Sequence, residues 1–230
     1  MKIFITGSNG FIGSHVVNRA LLNGHEVIGL KLPNHKEKIK LTRQPDWISG
    51  TLEDDHRKAL EGCDVLVHLA AYGVNPKNNS WQESFRCNVT ASIGLWQQAY
   101  QVGVRKIIIA GSCSEYGKSA ERYDYVPISA PLEPVDAYGA SKAAATLAAI
   151  TYAQENKIEM AILRPFHVYG DGEAEGRFWM ELRKAVIEGR DFPMTFGEQI
   201  RDFTPVEFVA DTFLNYATEK ELIPAKPIIK

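Results

Sequence analysis

Residues 1–13 read MKIFITGSNGFIG, an apolar run that meets Gly7, Gly10 and Gly13 at three-residue spacing. The run KIFITG has the length and composition of a short buried strand. The stretch GSHVVNRALLNG that follows (residues 13–24) has helical spacing and ends near Gly24. A strand, a glycine turn and a helix leave unpaired backbone N–H groups at the helix N-terminus, where they and the helix dipole favour a phosphate. In such a turn Gly7 makes the tight bend, Gly10 lets the backbone approach a pyrophosphate, and Gly13 lets the helix pack on the strand. The spacing here is G-x-x-G-x-x-G, not G-x-G-x-x-G. The flanking strand and helix therefore carry the reading of a dinucleotide site, against that of an ordinary β-to-α turn.

The same alternation continues outward. EVIGL (26–30), DVLVHLAA (64–71), KIIIAGS (106–112) and EMAILRPFHVYG (159–170) read as strands, the last running into a loop. HRKALEG (56–62), SFRCNVTASIGLWQQAYQVG (84–103), AYGASKAAATLAAITYAQEN (137–156) and GRFWMELRKAVIEG (176–189) read as helices. Short, nearly continuous apolar strands between helices predict a parallel sheet covered on both faces. The fold expected is α/β: a Rossmann doubly wound sheet with helices on both faces and a small, incomplete C-terminal substrate lobe. The dinucleotide domain is expected over 1–165. The partial lobe is expected over 166–230, interleaved with the end of that domain. The proline-containing stretch from Tyr123 to Pro134 reads as a loop near the site, and the closing AKPIIK reads as part of a further strand, as if more sequence followed.

Composition narrows the partners. The 230 residues carry a formal charge of -2, which argues against a nucleic-acid binder with its basic face. A 45% apolar content suits a globular core. No apolar run is long enough to span a bilayer, and Met1–Thr6 meets glycines too soon to be a signal peptide. Cys63, Cys87 and Cys113 have no paired or metal-like spacing. Reduced thiols, a cytoplasmic location and no metal are the expectation.

An NAD site usually has Asp or Glu at the end of its second strand, to hold the ribose 2′-OH. Here that position is Lys31, and Lys36, Lys38, Lys40 and Arg43 follow against a single Glu37. Cations would suit the extra 2′-phosphate of NADP(H), which is expected ahead of NAD(H). A solvated lysine-rich loop is the plain alternative.

Tyr138 and Lys142 stand four residues apart on a predicted helix, one turn apart on one face. An ammonium beside a phenol favours the phenolate, and a tyrosine so tuned can pass a proton to or from a sugar oxygen while a hydride moves. The lysine could also donate to the nicotinamide ribose. Ser112 lies just past a strand's C-terminal end, where open α/β sheets bind ligands, and could hold the oxygen that Tyr138 protonates. Each feature alone is common, and only the three in order carry weight.

With TGSNGFIG (6–13), DVLVHLAA (64–71), Asn88, GSCSEYG (111–117), YGASK (138–142), LRPFHVYGDG (163–172) and RDFTPVEFVAD (201–211), the chain resembles the extended short-chain dehydrogenase/reductase family, in its nucleotide-sugar epimerase/dehydratase branch. The resemblance implies Ser112, Tyr138 and Lys142 as catalytic residues. It implies cofactor contacts at Gly7, Asn9, Gly10, Phe11, Ile12, Gly13, Lys31, Leu52, Leu69, Ala70, Ala71 and Pro165, together with Tyr138 and Lys142. It implies substrate contacts at Ser114, His167 and Arg201, the last facing a diphosphate. Sugar 4,6-dehydratases of the family carry an Asp–Glu pair where this chain has Cys113 and Ser114, so elimination of water is not expected. The CSEYG form resembles some 4-ketoreductases, with no physical role apparent for Glu115. Thr51 also replaces an aspartate common in relatives.

The expected function is therefore reduction of a 4-keto nucleotide sugar by NADPH. The alternatives are an NAD-dependent nucleotide-sugar 4-epimerase, a reductase of small carbonyl compounds, and a non-catalytic NADP-binding redox sensor. A homodimer through a four-helix bundle is expected from the apolar Leu95, Trp96, Leu147 and Ile150.

Overall fold

The computed structural model describes residues 1–230 apart from 76–79, 199, 221 and 225. Strand β1 (Lys2–Thr6) sits near the middle of a seven-stranded sheet. Its neighbours are β2 (Glu26–Lys31) and β4 (Val65–His68), and β3 (Asp46–Ser49) lies outside β2. Beyond β4 come β5 (Lys106–Ala110), β6 (Glu159–Leu163) and the edge strand β9 (Ile228–Ile229). The order is β3-β2-β1-β4-β5-β6-β9 and every pairing is parallel. The chain reverses direction of travel between β1 and β4, which places a crevice at their C-terminal ends.

Strand periodicity sorts the core into two layers. Ile3 and Ile5 face helices α1 (Phe11–Leu22) and α7 (Val206–Thr218), with Val65, Val67 and Phe213. Phe4 faces the other way, toward Leu66, Ile107 and Ile109. That layer is closed by α2 (Arg57–Leu60), α4 (Ser92–Gln101) and α5 (Ala137–Asn156). Ile3, Phe4 and Ile5 are fully buried. Each such apolar side chain contributes roughly 1.5–3 kcal/mol. A short α3 (Trp81–Phe85) runs through a π-helical stretch at 86–91 into α4.

After residue 165 the chain leaves the large sheet and later returns to it. Strands β7 (His167–Tyr169) and β8 (Phe203–Pro205) form a small parallel pair, with α6 (Phe178–Glu188) between them in sequence. Then α7 returns to α1 and β9 returns to β6. Of the residues expected at a dimer face, Leu95 and Trp96 are fully buried in the core, so they cannot meet a second subunit. Leu147 is exposed and Ile150 is half-buried. Among the described residues no helix is long and apolar enough to cross a membrane.

Candidate active site

The glycine turn is closed by backbone, not by choice of side chain. Gly7 has φ +63°, and a Cβ on it would lie 2.8 Å from the Ala70 nitrogen. A Cβ on Gly13 would lie 2.0 Å from the Gly7 carbonyl oxygen. No side chain caps α1, so its first N–H groups face the cleft for an anionic ligand. The cleft encloses about 840 Å³. Gly7, Asn9, Gly10, Phe11, Ile12, Gly13, Lys31, Leu52, Leu69, Ala70 and Ala71 all line it. Its size and its close-approach backbone fit a dinucleotide. Sequence reasoning did not single out Glu53, Arg86, Cys87 or Ala110, which also line it from elements far apart in the chain.

The wall at Leu69–Ala71 is fixed by a buried polar chain. Thr6 Oγ1 accepts the N–H groups of Leu69 and Ala70 at 3.2 Å each. Its hydroxyl proton is then directed at His68 Nδ1, 2.8 Å away. The His68 Nε2–H donates to Ser92 Oγ at 2.9 Å, and Ser92 donates to the Cys87 carbonyl at 3.1 Å. Burial pushes the His68 pKa down to about 3, with the Lys142 charge adding to the fall. The imidazole is therefore neutral and bridges the two hydroxyls in one tautomer.

At the end of β2 the lysine expected to await a 2′-phosphate is already engaged. Lys31 Nζ lies 3.0 Å from Glu37 Oε1 and 4.3 Å from the centre of the Trp47 ring. Glu37 lines the cleft too, and its carboxyl is held below the usual range, first by its own backbone N–H and then by Lys31. The physical case for NADP(H) over NAD(H) weakens accordingly, because the free cation it required is neutralised.

The second group of residues meets beyond β5. Asp136 caps α5 by accepting the Gly139 N–H at 2.7 Å, which starts the helix one residue before Tyr138. A Cβ on Gly139 would lie 2.5 Å from the Ser114 carbonyl, so the helix can approach that loop only with glycine there. Ser112 caps the short turn Cys113–Glu115, its Oγ accepting the Ser114 N–H at 3.1 Å. The Ser112 side chain lies close enough to the Tyr138 phenol to oppose the rise in its pKa. Tyr138 in turn packs against Gly73, just past the cleft wall. Lys142 is buried and donates from Nζ to the carbonyl of Ala110, a cleft residue. Pro165 accepts the Cys113 N–H at 3.2 Å through its carbonyl.

The electrostatics differ from the expectation of a phenolate favoured by lysine. The Tyr138 pKa is pushed up to about 12, first by burial, with the Glu115 and Asp136 charges adding to the rise and Ser112 opposing it. Burial also lowers Lys142, against the pull of Glu115. The ammonium engages a backbone carbonyl, and burial of the phenol sets the direction of its shift. This geometry holds Tyr138 as a protonated acid that can donate to an oxygen beside Ser112.

His167 lies on β7, exposed, with its backbone N–H bonded to the Asp202 carbonyl at 3.1 Å. Burial and the charges of Arg201 and Arg177 keep its pKa low. The Arg201 charge also acts on Cys113.

Comparison with known proteins agrees with this architecture. Residues 3–229 match the model of the NAD dependent epimerase/dehydratase family. A Bacillus subtilis protein described as the uncharacterized UDP-glucose epimerase YtcB is 31% identical over 223 residues, covering 89% of this chain and 68% of that protein. The dTDP-6-deoxy-L-talose 4-dehydrogenase (NAD(+)) of Aggregatibacter actinomycetemcomitans is 26% identical over 90% of this chain and 76% of its own. A solved structure described as MoeE5 in complex with UDP-glucose and NAD superposes with a TM-score of 0.83 at 29% identity, covering 100% of this chain and 75% of that one.

Proposed function

This chain belongs to the NAD dependent epimerase/dehydratase family and is an enzyme of the extended short-chain dehydrogenase/reductase kind; from that premise we propose that it moves a hydride at C4 of a nucleotide-activated sugar, with 4-epimerisation as the net result. What supports this is Lys142, whose ammonium reaches the carbonyl of the cleft residue Ala110, with Tyr138 one turn before it on α5 and Ser112 near the phenol. The glycine turn, the Leu69–Ala71 wall and Lys142 would hold NAD, which when bound supplies a hydride acceptor and donor. Tyr138 would take the O4 proton as the sugar is oxidised and give it back as the keto sugar is reduced; the first step needs its pKa to fall from about 12, and the positive charge of oxidised NAD would act in that direction. Ser112 would hold that oxygen, and Ser114, His167 and Arg201 would bind the sugar and its diphosphate. A bidentate arginine suits a diphosphate.

NAD is proposed rather than NADP because Lys31 is paired with Glu37 and the MoeE5 complex holds NAD. An epimerase returns the hydride it takes, so it needs no pool of reduced cofactor. Incubation with UDP-glucose and NAD tests the reading: UDP-galactose should accumulate with no net NADH. The second reading is 4-ketoreduction. It is favoured by the likeness to a 4-dehydrogenase. Stoichiometric loss of NADH absorbance on adding a 4-keto sugar would select it over epimerisation.

Assembly and location complete the proposal. A shallow hollow on the outer side of α4 and α5, lined by Ile93, Leu147, Ala148 and Tyr152, is proposed as the seat of a homodimer in a four-helix bundle. The free thiols of Cys63, Cys87 and Cys113 fit a reducing cytoplasm.

A further inference from the structure

We propose that Glu115, held by Arg164, is a positioning residue for the reaction: its buried carboxylate ties Ser112 to the end of β6 and so aims the serine hydroxyl at Tyr138. This rests on the reading above that Ser112 and Tyr138 act on one sugar oxygen. Glu115 is fully buried, as Arg164 nearly is. The two carboxylate oxygens divide their work. Oε1 accepts the Ser112 N–H at 2.8 Å, and Oε2 accepts Arg164 Nε at 2.7 Å. Arg164 also donates from Nη1 to the Tyr116 hydroxyl at 2.9 Å, with its guanidinium 4.8 Å from the centre of that ring.

The surrounding backbone is built to admit this pair. A Cβ on Gly111 would lie 2.7 Å from Glu115 Oε1 and 2.9 Å from Arg164 Cγ. Gly111 and Cys113, on either side of Ser112, donate to the carbonyls of Leu163 and Pro165 at 2.7 and 3.2 Å. Ser112 is thus gripped through its own N–H by Glu115 and through its neighbours by the chain flanking Arg164. A buried ion pair seldom stabilises a fold more than apolar residues of the same volume would. A pair this enclosed, with its acceptors satisfied, is better explained by the geometry it enforces. Its neighbour along the chain, Ser112, is the group whose placement matters to the chemistry. A misplacement on the order of 1 Å at such a group can cost about a hundredfold in rate.

The test uses the full chain with UDP-glucose and NAD, and fluorescence titration with NADH as the measure of an intact cleft. Glu115→Gln is expected to bind NADH as the unsubstituted chain does, with kcat lower by about ten- to a hundredfold and KM little changed. Arg164→Lys, which keeps the charge but loses the fork, should act in the same direction and serves if the first variant does not fold. The decisive measurement combines Glu115→Gln with Ser112→Ala. A residue acting through Ser112 adds no further loss there, whereas a merely structural defect multiplies with it. Unchanged kcat in both single variants, or multiplying losses in the double variant, would overturn the inference. Absence of turnover by the unsubstituted chain would instead overturn the function on which it rests.

Discussion

Lys31 Nζ is shared between Glu37 Oε1, 3.0 Å away, and the face of Trp47, 4.3 Å from its centre. The cation at the end of β2 therefore already has a carboxylate beside it. NADH is expected to bind more tightly than NADPH. Glu37→Ala should free the lysine and improve NADPH binding by about tenfold, about 1.4 kcal/mol. Fluorescence titration of both cofactors checks this, and tighter NADPH binding by the unsubstituted chain would contradict it.

Tyr138 is proposed to carry the proton at the reacting oxygen. Tyr138→Phe should leave NADH affinity intact and lower kcat by about 10²–10⁴-fold. A change of less than threefold would remove Tyr138 from the mechanism.

Gly13 has its would-be Cβ 2.0 Å from the Gly7 oxygen. Gly13→Ala must push helix from strand, at a cost of about 1–3 kcal/mol, and should abolish NADH binding. Thermal denaturation with a parallel binding titration measures both. Unaltered affinity would show that the turn does not cradle the cofactor.

His68 is neutral in the fold, its pKa pushed down to about 3. Its unfolded value is near 6.5, so between about pH 6.5 and 3 the unfolded chain binds one more proton at this site. Its contribution to stability is full above the unfolded value and is lost as pH falls, with a slope of up to about 1.4 kcal/mol per pH unit. Urea titrations from pH 7 to 4 should show this acid sensitivity. His68→Gln, which cannot titrate, should have a smaller slope over the same range.

Leu147 is exposed on the outer side of α5, above the hollow lined by Ile93 and Tyr152. If that face joins two copies, Leu147→Glu should convert a dimer into a monomer in sedimentation velocity. An unsubstituted chain that sediments as a monomer would exclude the bundle.

Much of the fold can be read along the chain because its signals are local. The glycine turn, the strands at 26–30, 65–68, 106–110 and 159–163 and the long helix after Asp136 all announce themselves by composition and spacing. Strand β3 escaped notice because DWIS is only four residues long and half-buried, and its strand character comes from pairing with β2. Helix α7 and strand β9 belong to the sheet layers only through contact with α1 and β6. The homodimer expectation drew on Leu95 and Trp96, whose burial depends on which helix face meets the sheet.

From the sequence alone come the parallel sheet, the glycine turn and the placing of Tyr138 and Lys142 one turn apart on one helix, since each depends on residues within one turn or one strand. The engagement of Lys31, the raised pKa of Tyr138 and the enclosure of Glu115 by Arg164 were decided in three dimensions. Each depends on a partner brought from another segment, or on the loss of water around a buried group. Neither is written in the spacing of residues along the chain.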